Sequence, residues 1–321
     1  MRPASFTVLR ALADGSLHPA STLGVSRSAL RDAIRDLRQH RLTVEAVRGS
    51  GYRLAGGADL LDADAVAKGL ADRGAAVTLA LLDRCGSTNA ELLARAAADA
   101  PSGCAIACEL QTAGRGRRGN QWFSGLATGL TFSLLWRYAG GATDLTGLSL
   151  VAGVACVRAL EALGVGGVRL KWPNDLVHGR RKLGGILVEA AAEPRGAAAV
   201  VVGVGLNVRH SQAVQLPLGR PVADLAEIRP DLPSRSALLA ELLAQLGAAL
   251  ETFGALGFAA FHAEWTRLHA QQDERIRVAL PGGAAAEGIA LGVDAGGALL
   301  LRTASGIERL HSGEVSIGAI A

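Results

Sequence analysis

The sequence predicts an α+β protein of three units, and three features of the chain support this expectation. Two helical patterns and a hairpin pattern occupy the first segment, helix and strand patterns alternate through the middle, and short strands separated by glycines follow residue 273. Each segment has its own apolar periodicity, so each is expected to bury its own apolar face. We therefore predict units at residues 1–56, 65–270 and 274–321, with a linker at 56–64.

The composition indicates a globular protein with an aliphatic core. The chain has 321 residues and a net charge of +4; half of its residues are hydrophobic and 4% are aromatic. A mild positive charge suits anionic small molecules or DNA without requiring either. The longest apolar stretch, at 145–157, is shorter than the roughly 20 residues of a membrane-spanning helix, and the N-terminus lacks a signal-peptide pattern. We expect a cytoplasmic location and no membrane partner.

The cysteines are predicted to be reduced and structural. Their spacing contains no C-x-x-C pair and fits no zinc site. A cytoplasmic protein is also expected to keep its thiols reduced. The four residues are Cys85, Cys104, Cys108 and Cys156.

The first unit combines two helices, a hairpin and a basic face. A helix is predicted at 6–14, and a second begins after Ser26, a favourable N-cap residue. Alternating runs on either side of residues 49–51 then predict a β-hairpin. Arginines recur on one side of the second helix: Arg27, Arg31, Arg35 and Arg38. This order of elements with a basic face is typical of a winged helix-turn-helix that binds DNA.

The expected DNA contacts lie at the start of the second helix. Arg27, Ser28 and Arg31 would meet phosphates and base edges in a major groove. The alternative is an ordinary solvated helix face, which Asp32 and Asp36 would partly neutralise.

The middle and last units differ in their periodicity. Strands are predicted at 77–82, 105–110, 130–137, 168–171, 185–190 and 199–208, and helices at 88–100, 148–163, 234–253 and 258–269. The short connections between residues 171 and 208 favour an antiparallel or mixed sheet with helices on one side. Short strands at 276–279, 286–292, 299–303 and 308–311 predict a small β-barrel.

A glycine- and arginine-rich segment is the most informative part of the chain for function. Residues 114–124 read GRGRRGNQWFS, with Trp122 and Phe123 directly after the charged run. Glycine allows sharp turns and close approach to a ligand, and arginine offers a planar fork for carboxylate or phosphate oxygens. A solvated basic loop or a nucleic-acid patch is the alternative. The glycine spacing and the aromatic residues favour a loop that closes over a small anion.

Two further segments supply polar groups. Thr88 with Glu91 predicts a capping box at the start of a helix, where free N–H groups could also bind a polar head group, and Gln111 ends the next strand. In KWPND and the following RKLGG, Lys171 and Lys182 flank a hairpin that has Asp175 at its bend. Two lysines beside a carboxylate suit a nucleotide with Mg²⁺, and a plain tight turn is the alternative.

Other catalytic patterns are missing from the sequence. GVGLN at 203–207 lacks the third glycine of a dinucleotide fingerprint, so we predict a buried strand that ends in Asn207. There is no GxxxxGK[ST] or GxSxG pattern and no histidine motif. We therefore expect a site that stabilises anions without a covalent enzyme intermediate.

These segments, taken in order, resemble those of biotin protein ligases. The matching motifs are STN, GRGRRG with WFS, KWPND, RKLGGILVE and GVGLN. With the first unit in front, the chain is most similar to the bifunctional bacterial type, which also represses the biotin operon. The resemblance covers essentially the whole chain. It implies an N-terminal winged helix-turn-helix, a central mixed-sheet catalytic domain of the biotin/lipoate ligase type and an SH3-like C-terminal β-barrel.

The resemblance also implies a two-step reaction. The biotin carboxylate attacks the α-phosphate of ATP, which is used with Mg²⁺, and biotinyl-5′-AMP and pyrophosphate form. A lysine of the biotin carboxyl carrier protein of acetyl-CoA carboxylase then attacks the mixed anhydride. Biotin operator DNA and a second copy of the chain, paired through a sheet edge, are further implied partners.

Residue roles follow from the same resemblance. The implied biotin contacts are Ser87, Thr88, Asn89, Gln111, Arg115, Gly116, Arg117 and Lys182. The implied ATP contacts are Gly114, Arg117, Lys171, Asn174, Asp175 and Asn207. Lys182, Arg117 and Asp175 are implied to carry the chemistry, with Mg²⁺ held by ATP near Asp175 and no metal cage built by the protein.

The chain departs from the family pattern in four places. Residues 19–24 leave room for little more than one helical turn before the second helix. Gly318 stands where relatives carry a basic residue. The segment 211–222 lacks a tryptophan that some relatives have. Asn120 and Gln121 also stand where relatives often carry basic residues. Four hypotheses remain: a ligase that is also a repressor, a ligase whose first unit does not bind DNA, a biotin-sensing transcription factor, and a lipoate-type ligase.

Overall fold

The described part of the chain is built from three β-sheets and the helices around them. The computed structural model describes residues 1–138, 145–192, 198–209 and 222–316. Residues 211–221, which belong to the segment expected to cover adenosine, lie outside these ranges. So does Gly318, which stands where relatives carry a basic residue.

The first unit contains two α-helices and a hairpin. Helix α1 spans Pro3–Leu12, α2 spans Arg27–Gln39, and strands β1 and β2 span Val44–Val47 and Gly51–Leu54. Ser26 caps α2 as predicted, since its Oγ accepts a hydrogen bond from the backbone N–H of Ala29. Only a single 3₁₀ turn, Ala20–Thr22, stands between the two helices.

The connection to the middle unit is shorter than expected. Residues 63 and 64, assigned to a linker by the sequence, begin helix α3, Ala63–Asp72, which Asp62 caps by accepting from Ala65 N–H at 2.9 Å. Only Val66 and Leu70 of this helix are buried. So small an apolar face leaves a weak periodic signal, which is why the sequence did not predict α3.

A buried ion pair anchors this connection. Arg235 Nη1 lies 2.9 Å from Glu109 Oε2, and both side chains are almost inaccessible to solvent. Arg235 also donates to the backbone carbonyls of Asp59 and Gly129, and Glu109 accepts from Leu61 N–H. The pair therefore joins the connecting segment to the central sheet.

The central sheet has seven strands and is mixed, as predicted. The strands are β3 (Thr78–Cys85), β4 (Cys104–Gln111), β5 (Gly129–Tyr138), β6 (Val168–Lys171), β7 (Asp175–His178), β8 (Arg181–Ala192) and β9 (Ala198–Asn207). Their order is β3-β4-β5-β9-β8-β7-β6, with β3 and β4 parallel and every other pair antiparallel. Strand β7 was not predicted, because the sequence treats Asp175 only as part of a turn.

Helices cover both faces of this sheet, so the prediction of helices on one side is wrong. They are α4 (Thr88–Ala97), α5 (Leu148–Ala162), α6 (Leu225–Ile228), α7 (Arg235–Leu256) and α8 (Ala259–Leu268). Successive residues of a strand point to opposite faces. On β9, Val200 and Val202 join the main core with α5 and α7, whereas Ala199 and Val201 pack with Leu92 of α4. An unbroken apolar strand is buried on both sides.

Helix α7 is long and apolar enough to cross a membrane by length and composition. Most of its apolar window is buried inside the protein, with Leu239, Leu243 and Leu250 fully enclosed in the core. These contacts indicate a core helix.

The C-terminal strands form an antiparallel sheet without closure. They are β10 (Arg275–Ala279), β11 (Ala285–Val293), β12 (Leu299–Thr303), β13 (Gly306–Leu310) and β14 (Glu314–Ser316), in the order β13-β12-β11-β10-β14. Within residues 222–316, β13 and β14 remain as two edges, so the small β-barrel predicted from the sequence is not closed in this part of the chain. The three-residue strand β14 pairs with β10 and does not pair with β13.

All four cysteines are described, and each is a free thiol. Burial raises the pKa of Cys156 to about 12. A thiol with so high a pKa is a poor nucleophile, which agrees with the structural role predicted for it.

Candidate functional site

A cavity of about 950 Å³ lies on the α4 face of the central sheet. It is bounded by the start of α4, the loop at 114–124, the β7–β8 hairpin and the C-terminal sheet. Its size is within the range of small-molecule sites. Twelve of the thirteen residues predicted for biotin or ATP line it: Ser87, Thr88, Asn89, Gln111, Arg115, Gly116, Arg117, Lys171, Asn174, Asp175, Lys182 and Asn207.

Gly114 is the predicted residue that is not part of the cavity wall. Its carbonyl accepts a hydrogen bond from Trp122 N–H at 2.9 Å, and a Cβ at this position would overlap the Trp122 carbonyl oxygen. Gly114 therefore closes the base of the loop, and its absent side chain is a packing requirement.

The floor of the cavity explains the GVGLN segment. Val204 and Leu206 of β9 point into the main core, so Gly203, Gly205 and Asn207 fall on the opposite, cavity face. A Cβ on Gly203 would overlap Asn89 Oδ1, and a Cβ on Gly205 would overlap the Trp122 ring. The two glycines thus leave room for two side chains. Their spacing of two residues within a strand was the signal that the sequence reasoning missed.

One end of the cavity is lined by neutral hydrogen-bonding groups at the start of α4. Ser87 is the N-cap residue but makes no side-chain capping bond. The backbone N–H and Oγ1 of Thr88 donate to Gln111 Oε1 at 2.8 and 3.1 Å. The capping box predicted from Thr88 and Glu91 is wrong, because Thr88 is already the first helical residue.

Asn89 is held in a fixed orientation beside this helix start. Its Nδ2 lies 2.9 Å from Glu189 Oε2 and 3.2 Å from the Leu187 carbonyl, and its Oδ1 lies 2.6 Å from Ser133 Oγ. Sequence reasoning assigned no role to Ser133 or Glu189. A serine and a glutamate inside otherwise apolar strands were the available signal, since buried polar groups need partners.

The loop at 114–122 is a small closed hairpin. Gly116 N–H donates to the Asn120 carbonyl at 2.7 Å, and Arg118 takes the left-handed conformation with φ of 53°. Arg115 Nη2 lies 2.8 Å from Glu189 Oε2. Trp122 Nε1 is buried without a hydrogen-bond partner among the described residues. A buried donor in this state is available to a ligand that brings an acceptor.

The other end of the cavity is cationic. Lys182 Nζ lies 2.6 Å from Asp175 Oδ1, with 20% and 18% of the two side chains exposed, and 5.9 Å from the Trp122 ring centroid. Lys171 lies opposite Asp175 in the backbone register of β6 and β7. Arg117 Nη1 donates to Asn174 Oδ1 at 3.3 Å.

Burial, and after it the charge of Arg118, lowers the pKa of the Arg117 guanidinium. Both effects make its positive charge less favourable in the structure as it stands, so a bound anion would stabilise it. Within the described ranges, no group of three or more His, Cys, Asp or Glu side chains could hold a metal ion. Arg117 and Lys182 suit this end of the cavity to an anionic ligand.

The predicted DNA contacts are not part of the cavity wall and lie at the start of α2. Arg27, Ser28 and Arg31 are all exposed. Asp32 pairs with Arg2 and Arg35, at 2.6 and 3.3 Å. In the part of the chain that the structure describes, Arg27 and Arg31 form no ion pair, so Asp32 does not neutralise them directly.

Comparison with known families agrees with this arrangement. Residues 82–207 match the biotin/lipoate A/B protein ligase family, and residues 273–318 match the biotin protein ligase C terminal domain. The first match covers β4, β5 and the strands of the cavity floor, and the second covers the C-terminal sheet.

Individual relatives match over nearly the whole chain. The bifunctional ligase/repressor BirA of Salmonella typhimurium is 38% identical over 315 residues, which are 97% of this chain and 96% of that protein. The protein of the same name from Escherichia coli is 37% identical over 310 residues, covering 95% and 94%. The structure of the biotin protein ligase from Aquifex aeolicus in complex with biotin and ATP superposes with a TM-score of 0.63 at 28% identity, covering 74% of this chain and 97% of that one.

Proposed function

The chain belongs to the biotin protein ligase family, and from this membership we propose that it is an ATP-dependent ligase that joins biotin to a lysine of the carrier protein of acetyl-CoA carboxylase. The observation that carries the proposal is one continuous cavity that has a neutral polar end and a cationic end. Biotin has the same division, with a neutral ureido ring at one end and a carboxylate at the other.

The neutral end would hold the biotin ring. Ser87, Thr88, Asn89 and Gln111 offer hydroxyl, amide and helix N-terminal N–H groups there. The carboxylate would then extend toward Lys182 and the loop residues Arg115, Gly116 and Arg117. Gly116 contributes backbone that no side chain shields.

The cationic end would hold the triphosphate of ATP. Lys171, Asn174, Asp175 and Asn207 line this end together with Lys182 and Arg117. Mg²⁺ would enter as part of the ATP substrate, and the Asp175 carboxylate in the wall could bind it. Lys182 would have to leave Asp175 in order to contact the ligand anions, and a cation bound by Asp175 would lower the electrostatic cost of this change.

The chemistry then needs charge stabilisation and little else. An oxygen of the biotin carboxylate attacks the α-phosphorus, the bond to the β-phosphate oxygen breaks, and pyrophosphate leaves with its electron pair. Lys182 and Arg117 stabilise the added negative charge on the α-phosphate. In the second step the carrier amine, having lost a proton, attacks the acyl carbon and AMP leaves.

The loop at 114–122 would keep water from the mixed anhydride until the carrier arrives. Its internal hydrogen bonds make it a compact cover, and its glycines permit opening for product release. The test is a purified reaction with biotin, MgATP and a carrier domain. Pyrophosphate release and a mass increase on the carrier lysine are expected, and a carrier with that lysine changed to arginine should remain unmodified. Lipoate transfer in place of biotin transfer would overturn the assignment.

We further propose that residues 1–56 form a winged helix-turn-helix that binds operator DNA, that residues 65–270 are the catalytic domain and that residues 274–321 are an SH3-like unit. The exposed positions of Arg27 and Arg31 beside Ser28 support DNA binding. The single 3₁₀ turn before α2 favours the alternative, a ligase whose first unit no longer reads DNA. A cytoplasmic location and pairing of two copies through a sheet edge complete the proposal.

A gel shift separates these two possibilities. The full protein is incubated with biotin-operon promoter DNA, biotin and ATP, and compared with the double variant R27A/R31A. A shift that the double variant loses supports the repressor, since each phosphate contact adds to affinity and to salt dependence. Biotin transfer without a shift supports the ligase-only alternative.

A further inference from the structure

Glu189 stands behind the cavity wall and touches two residues that form it. Its Oε2 accepts from Asn89 Nδ2 at 2.9 Å and from Arg115 Nη2 at 2.8 Å. Asn89 comes from α4 and Arg115 from the glycine-rich loop, and both line the cavity. We propose that Glu189 is a positioning residue that holds this loop closed against the sheet and at the same time fixes the amide of Asn89.

The contact with Asn89 leaves that amide no freedom to rotate. The Asn89 side chain is buried, with both ends of the amide bonded to groups of the central sheet. Glu189 supplies one of the two acceptors for Nδ2. Because Gly203 has no side chain, Asn89 lies directly on β9. The amide therefore presents one defined face to a ligand.

Among the described residues, the contact with Arg115 is the shortest side-chain hydrogen bond between the loop and another segment. Three side-chain hydrogen bonds join residues 114–122 to other described segments: Arg115 to Glu189 at 2.8 Å, Arg117 to Asn174 at 3.3 Å and Asn120 to Glu314 at 3.4 Å. The first is the shortest and is the one between opposite charges. Charge-assisted hydrogen bonds are roughly twice as strong as neutral ones.

A single carboxylate thus connects the ring-binding end of the cavity to its cover. It neutralises Arg115, so closure of the loop does not depend on the charge of the ligand. It also makes the position of Asn89 and the position of the loop depend on one another. If the proposed function holds, this coupling retains biotinyl-5′-AMP, the intermediate that the loop has to enclose.

The test compares Glu189→Gln with the wild-type protein. Glutamine keeps an acceptor for Asn89 but removes the charge that holds Arg115. Glu264→Gln is a matched control, because Glu264 has a similar exposure (24% against 27%) and is also paired with an arginine, Arg158, away from the cavity. Two quantities are measured on the full chain: the rate of tryptic cleavage at the loop arginines, and the fraction of adenylate that escapes from the protein when no carrier is present.

Glu189→Gln is expected to raise loop cleavage and adenylate escape about fivefold, the upper range for a partly exposed ion pair. The KM for biotin should rise by a similar factor while the first-turnover rate of pyrophosphate release stays within about twofold. A side chain with a merely structural role would not separate these quantities. Glu264→Gln should leave all of them unchanged.

A second variant makes the result independent of folding effects. Arg115→Gln removes the same ion pair from the loop, and cleavage is then scored after Arg117 and Arg118. The double variant should be no more susceptible than either single variant, because interacting residues are not additive. Additive effects, or wild-type cleavage in Glu189→Gln, would overturn the proposal. Failure of the wild-type protein to form an adenylate would instead contradict the proposed function, and the cleavage comparison would still test the loop contact.

Discussion

Lys182 and Asp175 face each other across the β7–β8 hairpin, with Nζ 2.6 Å from Oδ1. Most of each side chain is shielded from solvent. The pair keeps a positive charge in the cavity without leaving it unpaired, which would be costly in a partly buried position. A bound anion could take the place of the Asp175 carboxylate as the partner of Lys182.

Lys182→Ala is expected to abolish adenylate formation. Loss of one preorganised donor to a developing charge typically lowers the rate by about 10²–10³-fold. Biotin- and ATP-dependent pyrophosphate release measures this step. Lys68→Ala is the control, because Lys68 makes an exposed ion pair with Asp72 far from the cavity. Wild-type pyrophosphate release by Lys182→Ala would remove Lys182 from the mechanism.

Gly203→Ala is expected to weaken biotin binding. The new methyl group would overlap Asn89 Oδ1, and overpacking of a close-packed site costs about 1–3 kcal/mol. Asn89 has to move, so the KM for biotin should rise about tenfold or more. Gly166→Ala is the matched control, since a Cβ there meets open space. Equal biotin affinity in both variants would refute the role given to this glycine.

Arg235→Ala is expected to lower the free energy of unfolding by about 3–5 kcal/mol, because it leaves Glu109 charged and buried without its partner. The connecting segment at 59–61 loses its anchor in the same step. Urea denaturation followed by circular dichroism measures the change. Arg53→Ala removes an exposed ion pair with Glu45 and should cost about 1 kcal/mol or less. Similar losses in both variants would show that burial does not set the energy of the Arg235 pair.

The stability of the protein should fall in mild acid. Burial lowers the pKa of His269 below its usual value of 6.5. The unfolded chain therefore binds a proton at a higher pH than the folded chain, and stability rises with pH where this holds. As the pH drops from 7.5 to 5.5, this contribution is lost, beginning near 6.5. Burial also lowers the pKa of His40, which acts in the same direction.

Urea midpoints measured across this pH range test the sign. His269→Asn should flatten the dependence relative to wild type. A midpoint that rises on acidification would contradict the assignment. The comparison uses slopes, because removing the stacked contact between His269 and Trp265 also changes the absolute stability.

Most elements of this fold could be predicted because their signals are local. Strand β6, Val168–Lys171, has the predicted limits, and the Ser26 cap of α2 is present as expected. Such features depend on a few neighbouring side chains and on the period of the apolar residues. Helix α3 was not predicted because few of its apolar side chains are buried. Strand β7 was not predicted because it begins inside a sequence that is typical of a turn. The open edges of the C-terminal sheet depend on which strands pair, and the local sequence pattern does not determine which strands pair.

The motifs of the site could also be identified in the chain, together with the family that they resemble. Which residues of these motifs contact one another is determined by the folded structure. Gly203 and Asn89, Arg115 and Glu189, and Arg235 and Glu109 are each separated by more than seventy residues in sequence and meet only because β4, β5, β8 and β9 lie side by side. A residue such as Glu189, whose partners are both distant, leaves no pattern in its own neighbourhood. Packing of the strands decides its role, because hydrogen bonds depend on positions in space and not on separation along the chain.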